Sequence, residues 1–221
     1  MEPQEHFISV QRTARYHVLG IPGPHINKLW IVLHGYGQQS KYFIRHFMPV
    51  IGDDTLVIAP EGLSLFYVGQ GWQRVGASWM TKEKRESEIK DYTSYLDGLW
   101  EEVANQVPEN CSIGILGFSQ GVTTAWRWLD VGKIIPDVFV VWAGGIPEER
   151  ISTTSRWESE SEIFYIRAMQ DEFISDEQAK RSMEILKSKS NRLTTLEFDG
   201  NHRMDEHTLA AIMEKCCMNK S

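Results

Sequence analysis

Cysteine is scarce. Three occur in 221 residues, Cys111, Cys216 and Cys217. They make no convincing disulfide framework, and the adjacent pair lacks the spacing of a structural zinc site. Reduced thiols in a cytoplasmic protein are the expectation, with Cys111 at the start of a buried strand; an exposed redox role for Cys216 and Cys217 is the alternative. Long apolar runs are also missing, which excludes a membrane span. The opening residues Met1-Glu2-Pro3-Gln4-Glu5-His6 are polar, unlike a secretory leader. Basic tracts are absent. Lys and Arg number 23 against 30 Asp and Glu, a formal charge of -7 spread in both signs along the chain. That balance argues against a nucleic-acid partner. No repeat, low-complexity tract or interdomain linker divides the chain, so residues 1–221 are expected to form one domain.

What is present is an alternation of short apolar runs with helical patterns. Lys28 to His34, Thr55 to Pro60, Cys111 to Leu116, Val138 to Gly144, Ile163 to Ala168 and Leu193 to Phe198 read as strands. Those at Lys28 and Thr55 lack polar alternation, as expected when helices cover both faces of a parallel sheet. Phe7 to Val18 reads as one or two strands at the sheet margin, and Tyr42 to Val50 as a short helix. From Lys82 to Val107, Ile89, Tyr92, Leu96, Leu99 and Val103 recur at helical spacing. Gln120 to Val131 reads as a helix. Ser175 is placed to cap another, with Gln178 at the capping-box position. Asp205 is placed to cap the last helix, ending near Cys217. Gly62 to Met80 reads as a long loop rich in glycine and aromatics, and Gly145 to Ser161 as a polar loop too short to be a lid domain. This order predicts an α/β fold with a mostly parallel central sheet and right-handed crossovers.

One junction carries chemistry. Gly117-Phe118-Ser119-Gln120-Gly121 joins a strand directly to a helix. That context turns a Gly-x-Ser-x-Gly match into a nucleophile elbow, with the serine hydroxyl exposed on a strained turn. The pattern alone arises by chance in roughly one in fourteen chains of this length. The rest of the chain therefore has to supply a base and an acid, since a serine hydroxyl is a poor nucleophile unaided. In this architecture they follow later strands in the order serine, acid, histidine. Asp171 lies in the loop after the Ile163 strand. His202 lies in the loop after the Leu193 strand. For the acid, Glu172, Asp176 and Asp199 are competitors. For the base, His207 falls inside the last helix, and His34 precedes the serine and reads as a loop brace. Acyl transfer also needs donors for an oxyanion. His34-Gly35-Tyr36-Gly37 ends a central strand, and its glycines allow amides to point inward. The Tyr36 and Gln120 amides are the expected pair.

Leu33-His34-Gly35-Tyr36-Gly37, Ala59-Pro60-Glu61-Gly62, Gly117-Phe118-Ser119-Gln120-Gly121, the Asp171 segment and Gly200-Asn201-His202 together resemble the phospholipase/carboxylesterase family. This group includes acyl-protein thioesterases and small bacterial carboxylesterases. The resemblance runs from about Leu29 to Met213. It implies an α/β-hydrolase three-layer sandwich without a large lid domain. It also implies a Ser119–His202–Asp171 esterase or thioesterase needing neither metal nor organic cofactor. The chain departs from the family at Ala168-Met169, where members often carry His-Gly. It departs again at Gln38-Gln39, where Gly-Asp or Gly-Gly is familiar. The expected partner is a small ester or thioester with a short to medium acyl group, bound in an open, shallow cleft. Trp72, Trp79, Ile146, Phe173 and Met204 are the candidate walls, with anchoring of the loop an equal alternative for Trp72 and Trp79. Peptidase, acyltransferase or pure ligand-binding roles on the same scaffold stay open. So does a homodimer through aromatics of the Gly62–Met80 segment.

Overall fold

A computed structural model describes residues 2–215; Cys216 and Cys217 lie outside the described residues. Six strands run parallel: β2 (Lys28–Leu33), β3 (Thr55–Pro60), β6 (Ser112–Phe118), β7 (Val138–Trp142), β8 (Glu162–Ala168) and β9 (Leu193–Phe198). A short β1 (Tyr16–Leu19) pairs antiparallel with β3 at one edge, giving the order β1-β3-β2-β6-β7-β8-β9. The chain builds outward from β2 to β3, then crosses back to β6 and builds the other way. Ligand crevices in such sheets form at the carboxyl ends where the order reverses. Here that places the crevice between β2 and β6.

The uninterrupted apolar character of these strands follows from cover on both faces. Along β2, Leu29, Ile31 and Leu33 enter one core cluster, while Trp30 and Val32 enter the other. The first cluster is closed by α2 (Arg85–Ala104) and α3 (Gln120–Val131). It also takes Trp157 of α4 (Arg156–Glu160) and Leu186 of α5 (Asp176–Lys189). The second is covered by α1 (Ser40–Phe43), the 3-10 turn that continues it over Ile44–Phe47, and α6 (Glu206–Lys215). Ser175 and Gln178 form the reciprocal capping box at the start of α5. Asp205 accepts from the Thr208 amide at 3.1 Å at the start of α6.

Four expectations are corrected. Residues 2–15 form no strand, and Phe7, Ile8 and Val10 are exposed, so β-forming side chains here have no sheet to join. The helix expected from Tyr42 to Val50 begins at Ser40 and tightens after one turn. The segment 145–161 holds a 3-10 turn and α4, pinned by fully buried Trp157. The largest revision concerns 62–80. It is an antiparallel hairpin, β4 (Ser64–Val68) with β5 (Arg74–Ser78), in the register Ser64↔Ser78 to Val68↔Arg74. Its turn uses left-handed backbone at Gly69, Gly71 and Trp72. The alternation that marks a strand is there, with Leu65 and Tyr67 exposed and Phe66 and Val68 half-buried, but aromatics on both faces hide it.

Candidate active site

Ser119 is the single residue between β6 and α3, at φ 54 and ψ -116. Left-handed backbone is costly for a side-chain residue, so the surroundings must impose it. Space explains the flanking glycines. A Cβ on Gly117 would stand 2.6 Å from the Gly121 carbonyl, and one on Gly121 would stand 2.1 Å from the Leu33 carbonyl. The Ser119 amide donates to the Trp142 carbonyl at 2.9 Å, tying the turn to the end of β7. Its hydroxyl makes no hydrogen bond among the described residues. Ser119 is partly exposed.

The loops after β8 and β9 are stitched together. The Met169 amide bonds the Phe198 carbonyl at 3.0 Å and the Gln170 amide bonds the Gly200 carbonyl at 2.9 Å. Asp171 Oδ2 and His202 Nδ1 stand 2.8 Å apart. The other oxygen, Oδ1, accepts from the amides of Phe173 (2.8 Å) and Ile174 (3.0 Å). The carboxylate is thus fully oriented, and its side chain is 3% exposed. The competing acids are occupied elsewhere. Glu172 accepts from the His202 amide at 3.1 Å, Asp199 from the Gln170 carboxamide at 2.7 Å, and Asp176 from Arg167. Glu172 therefore holds the backbone of the histidine loop, a role spacing alone does not signal. His207 is exposed on α6. The His202 ring packs between Phe118, at 5.0 Å between centroids, and Phe173, at 4.9 Å. Phe118 immediately precedes Ser119, so the imidazole and the elbow are neighbours.

On the other side of the serine lies the turn after β2. Gly35 abuts the elbow: a Cβ there would stand 3.2 Å from Ser119 Cβ. No hydrogen bond among the described residues occupies the Tyr36 or Gln120 amide. Gln120 starts α3, where an amide has no intrahelical partner and the helix dipole is positive. Buried His34 holds the turn. Its Nδ1 donates to the Gly35 carbonyl at 2.8 Å, and its Nε2 accepts from the Gly62 amide at 3.0 Å. Burial depresses its pKa to about 4, outweighing the Gly35 bond and the Glu61 charge, so the ring is a neutral brace.

The hairpin braces the turn as well. The Gly37 amide donates to the Ala77 carbonyl and the Ala77 amide to the Gln38 carbonyl, both at 2.9 Å. The Tyr36 ring stacks on Phe66 at 4.9 Å. From the opposite side, the Gln120 side chain accepts from the Trp79 amide at 3.1 Å and donates to the Met80 carbonyl at 2.8 Å. The end of β5 thereby links the two segments that carry the free amides. Sequence reading of 62–80 as a loop missed this.

The expected pocket walls divide. Phe173 is 69% exposed beside His202. Ile146 is half-buried against the core. The 3-10 turn beyond it is anchored by Glu149, which accepts from Arg127 at 2.7 Å and Arg85 at 2.9 Å. Burial would raise the Glu149 pKa, but these bonds outweigh it and hold it at about 2. Met204 is nearly buried and borders a cavity of about 230 Å³ with Arg45, His46 and Arg203. Trp79 is corrected: it is 1% exposed, and its indole donates to the His34 carbonyl at 2.9 Å, so it is a buried brace. Trp72 is corrected too. It is exposed at the hairpin tip, edge-on to Tyr67, where the turn geometry points it to solvent. Among the described residues no cluster of His, Cys, Asp or Glu could hold a metal, and no helix is long and apolar enough to cross a membrane.

No family model matches the chain, and no curated protein matches it. Solved structures do. The acyl-protein thioesterase 2 of Zea mays is 14% identical, with a TM-score of 0.72, over 94% of this chain and 99% of that one. A Bacillus cereus carboxylesterase is 13% identical, with a TM-score of 0.70, over 92% and 93%. A phospholipase/carboxylesterase from Dyadobacter fermentans is 14% identical, with a TM-score of 0.69, over 95% and 99%. At this identity the likeness establishes the architecture. The chain has the α/β-hydrolase fold, and no inserted lid domain is seen among the described residues.

Proposed function

We propose that this α/β-hydrolase-fold protein is a serine carboxylesterase, acting on soluble esters or thioesters with short to medium acyl groups. The observation that carries the reading is the 2.8 Å contact between Asp171 and His202, set beside a serine on left-handed backbone. The acid fixes the histidine tautomer with its proton on Nδ1, leaving Nε2 free to accept. In resting sites the serine–histidine contact is often long and tightens with substrate. The open oxyanion amides, the family resemblance of the motifs and the likeness to solved esterases and a thioesterase support the same reading.

The reaction runs in two halves. His202 Nε2 takes the Ser119 proton as the oxygen attacks the carbonyl carbon. The negative charge moves to the carbonyl oxygen, where the Tyr36 and Gln120 amides receive it. Asp171 stabilises the imidazolium. The carbon–oxygen or carbon–sulfur bond then breaks, and the leaving group takes the proton from His202. Water repeats the sequence on the acyl-enzyme, releasing the acid and restoring Ser119. Phe173 and Ile146 line the approach to the carbonyl.

A fluorophosphonate probe and a panel of p-nitrophenyl esters, thioesters and amides test the proposal. Wild type should label and cleave esters, and Ser119→Ala should do neither while keeping its fold. Preferred amide cleavage or transfer to an added acyl acceptor would give the scaffold to a peptidase or acyltransferase. A folded but unlabelled wild type would point to a ligand-binding role.

A further inference from the structure

A cavity of about 150 Å³ lies against the turn after β2, between α1, its 3-10 extension and the start of β5. Gly37, Gln38, Gln39, Tyr42, His46 and Arg74 are among its walls, and among the described residues no carboxylate lines it. It adjoins the elbow, because Gln38 Oε1 accepts from the Gly35 amide at 2.8 Å and Gly35 abuts Ser119.

Its polar groups are unusually idle. Gln39 is 8% exposed, and its carboxamide makes no hydrogen bond among the described residues; it is not among the buried unpartnered groups, so what exposure the residue keeps includes its polar end. That end is open to bond a group that enters the cavity. Gln38 spends its oxygen on Gly35 and leaves its amino group unused. Arg74 forms no ion pair among the described residues. Lys41 and Arg45 lie over the ring of Tyr42, a wall residue, at 4.6 and 5.2 Å, and neither pairs with a carboxylate among the described residues; Arg45 itself lines the neighbouring cavity. In a chain of net charge -7, unneutralised cations gathered around donors form a local positive potential. The neighbouring cavity across His46 contrasts with it, since there Asp205 and Glu206 contribute acid and Arg203 is paired with Asp205 at 3.1 Å.

Resting on the esterase reading, we propose that the substrate carries a carboxylate, seated in this cavity against Arg74 with the Gln38 and Gln39 carboxamides as further donors. The size of the cavity suits a group of a few heavy atoms. One lining guanidinium matches a monoanion, and its planar fork suits a carboxylate.

Two pairs of esters test this. On the acyl side, p-nitrophenyl hemiglutarate is compared with the uncharged 5-methylhexanoate. On the alcohol side, 4-acetoxybenzoate is compared with 4-acetoxybenzamide. One anionic member should be preferred about tenfold or more in kcat/KM, mainly through KM, with the preference shrinking in added salt. Arg74→Ala and Gln39→Leu should each reduce that preference at least threefold while leaving the uncharged ester's kcat/KM unchanged. Calorimetry of glutarate with the Ser119→Ala protein gives a readout without turnover. Saturable binding should appear there and vanish when Arg74→Ala is added. The proposal is overturned if neither anionic ester is preferred, if the preference survives Arg74→Ala, or if the hemiglutarate ester is the preferred one and glutarate still fails to bind. Turnover that survives Ser119→Ala would instead overturn the esterase reading itself.

Discussion

Acid should unfold this protein through His34 before it unfolds it through carboxylates. The ring is wholly buried, donates through Nδ1 and accepts through Nε2. A second proton would face the Gly62 amide, a donor against a donor, inside the core. The pKa accordingly lies near 4 rather than at 6.5, with burial as the main cause. The native state thus resists a proton that the unfolded chain accepts readily. Stability from this group is complete above pH 6.5 and is lost as pH falls towards 4. A gap of about 2.5 units, at 1.36 kcal/mol each, gives about 3 kcal/mol in total. That is a large share of a typical stability of roughly 5–15 kcal/mol. The carboxylates with lowered pKa, Asp54, Glu149 and Asp205, act in the same direction but only below about pH 4.5. His46, lowered by burial, adds a slope of the same sign above that. Urea unfolding in half-unit steps from pH 7.5 to 4.5, for wild type and His34→Gln, separates the contributions. Wild type should lose about 2–3 kcal/mol more than the variant over that interval. The variant should start lower at pH 7.5. Parallel pH curves for the two proteins would refute the reasoning.

Gln120→Ala removes the partner of the Trp79 amide and one of the two donors to the Met80 carbonyl, which keeps the Ser78 hydroxyl, costing about 1–3 kcal/mol. A thermal melt should fall by roughly 3–9 °C, and an unchanged Tm would show that the hairpin needs no such anchor. Gly121→Ala sets a Cβ 2.1 Å from the Leu33 carbonyl, a collision of backbone with backbone. It should cost about 3 kcal/mol or more, read as a lower denaturation midpoint or loss of soluble protein. Asp171→Asn keeps an acceptor for the Phe173 and Ile174 amides but frees the histidine tautomer. Ester kcat should drop by about three to four orders of magnitude with Tm nearly constant; a drop below tenfold would remove Asp171 from the acid role.

The strands were readable because burial on both faces leaves short apolar runs without polar alternation. The elbow was readable because Gly117 and Gly121 are demanded by steric contact, and steric demands leave a fixed spacing. The acid was harder. Asp171, Glu172, Asp176 and Asp199 sit within one stretch of loops, and spacing favours none decisively. Only the stitched β8 and β9 loops place Asp171 on the ring and set Glu172 on the backbone behind it. Trp79 was misplaced because an indole in an aromatic segment carries no local mark of which way it faces.

Local and periodic constraints thus settled the α/β alternation and the tight turn that carries Ser119. They act between residues a few positions apart, and so they persist in a one-dimensional string. Tertiary structure alone decided the hairpin that joins Gly37 to Gln120, the choice among four acids and the donor-lined cavity beside Gln39 and Arg74. Each depends on segments 30 or more residues apart meeting at one sheet edge, and no periodicity encodes where such segments meet.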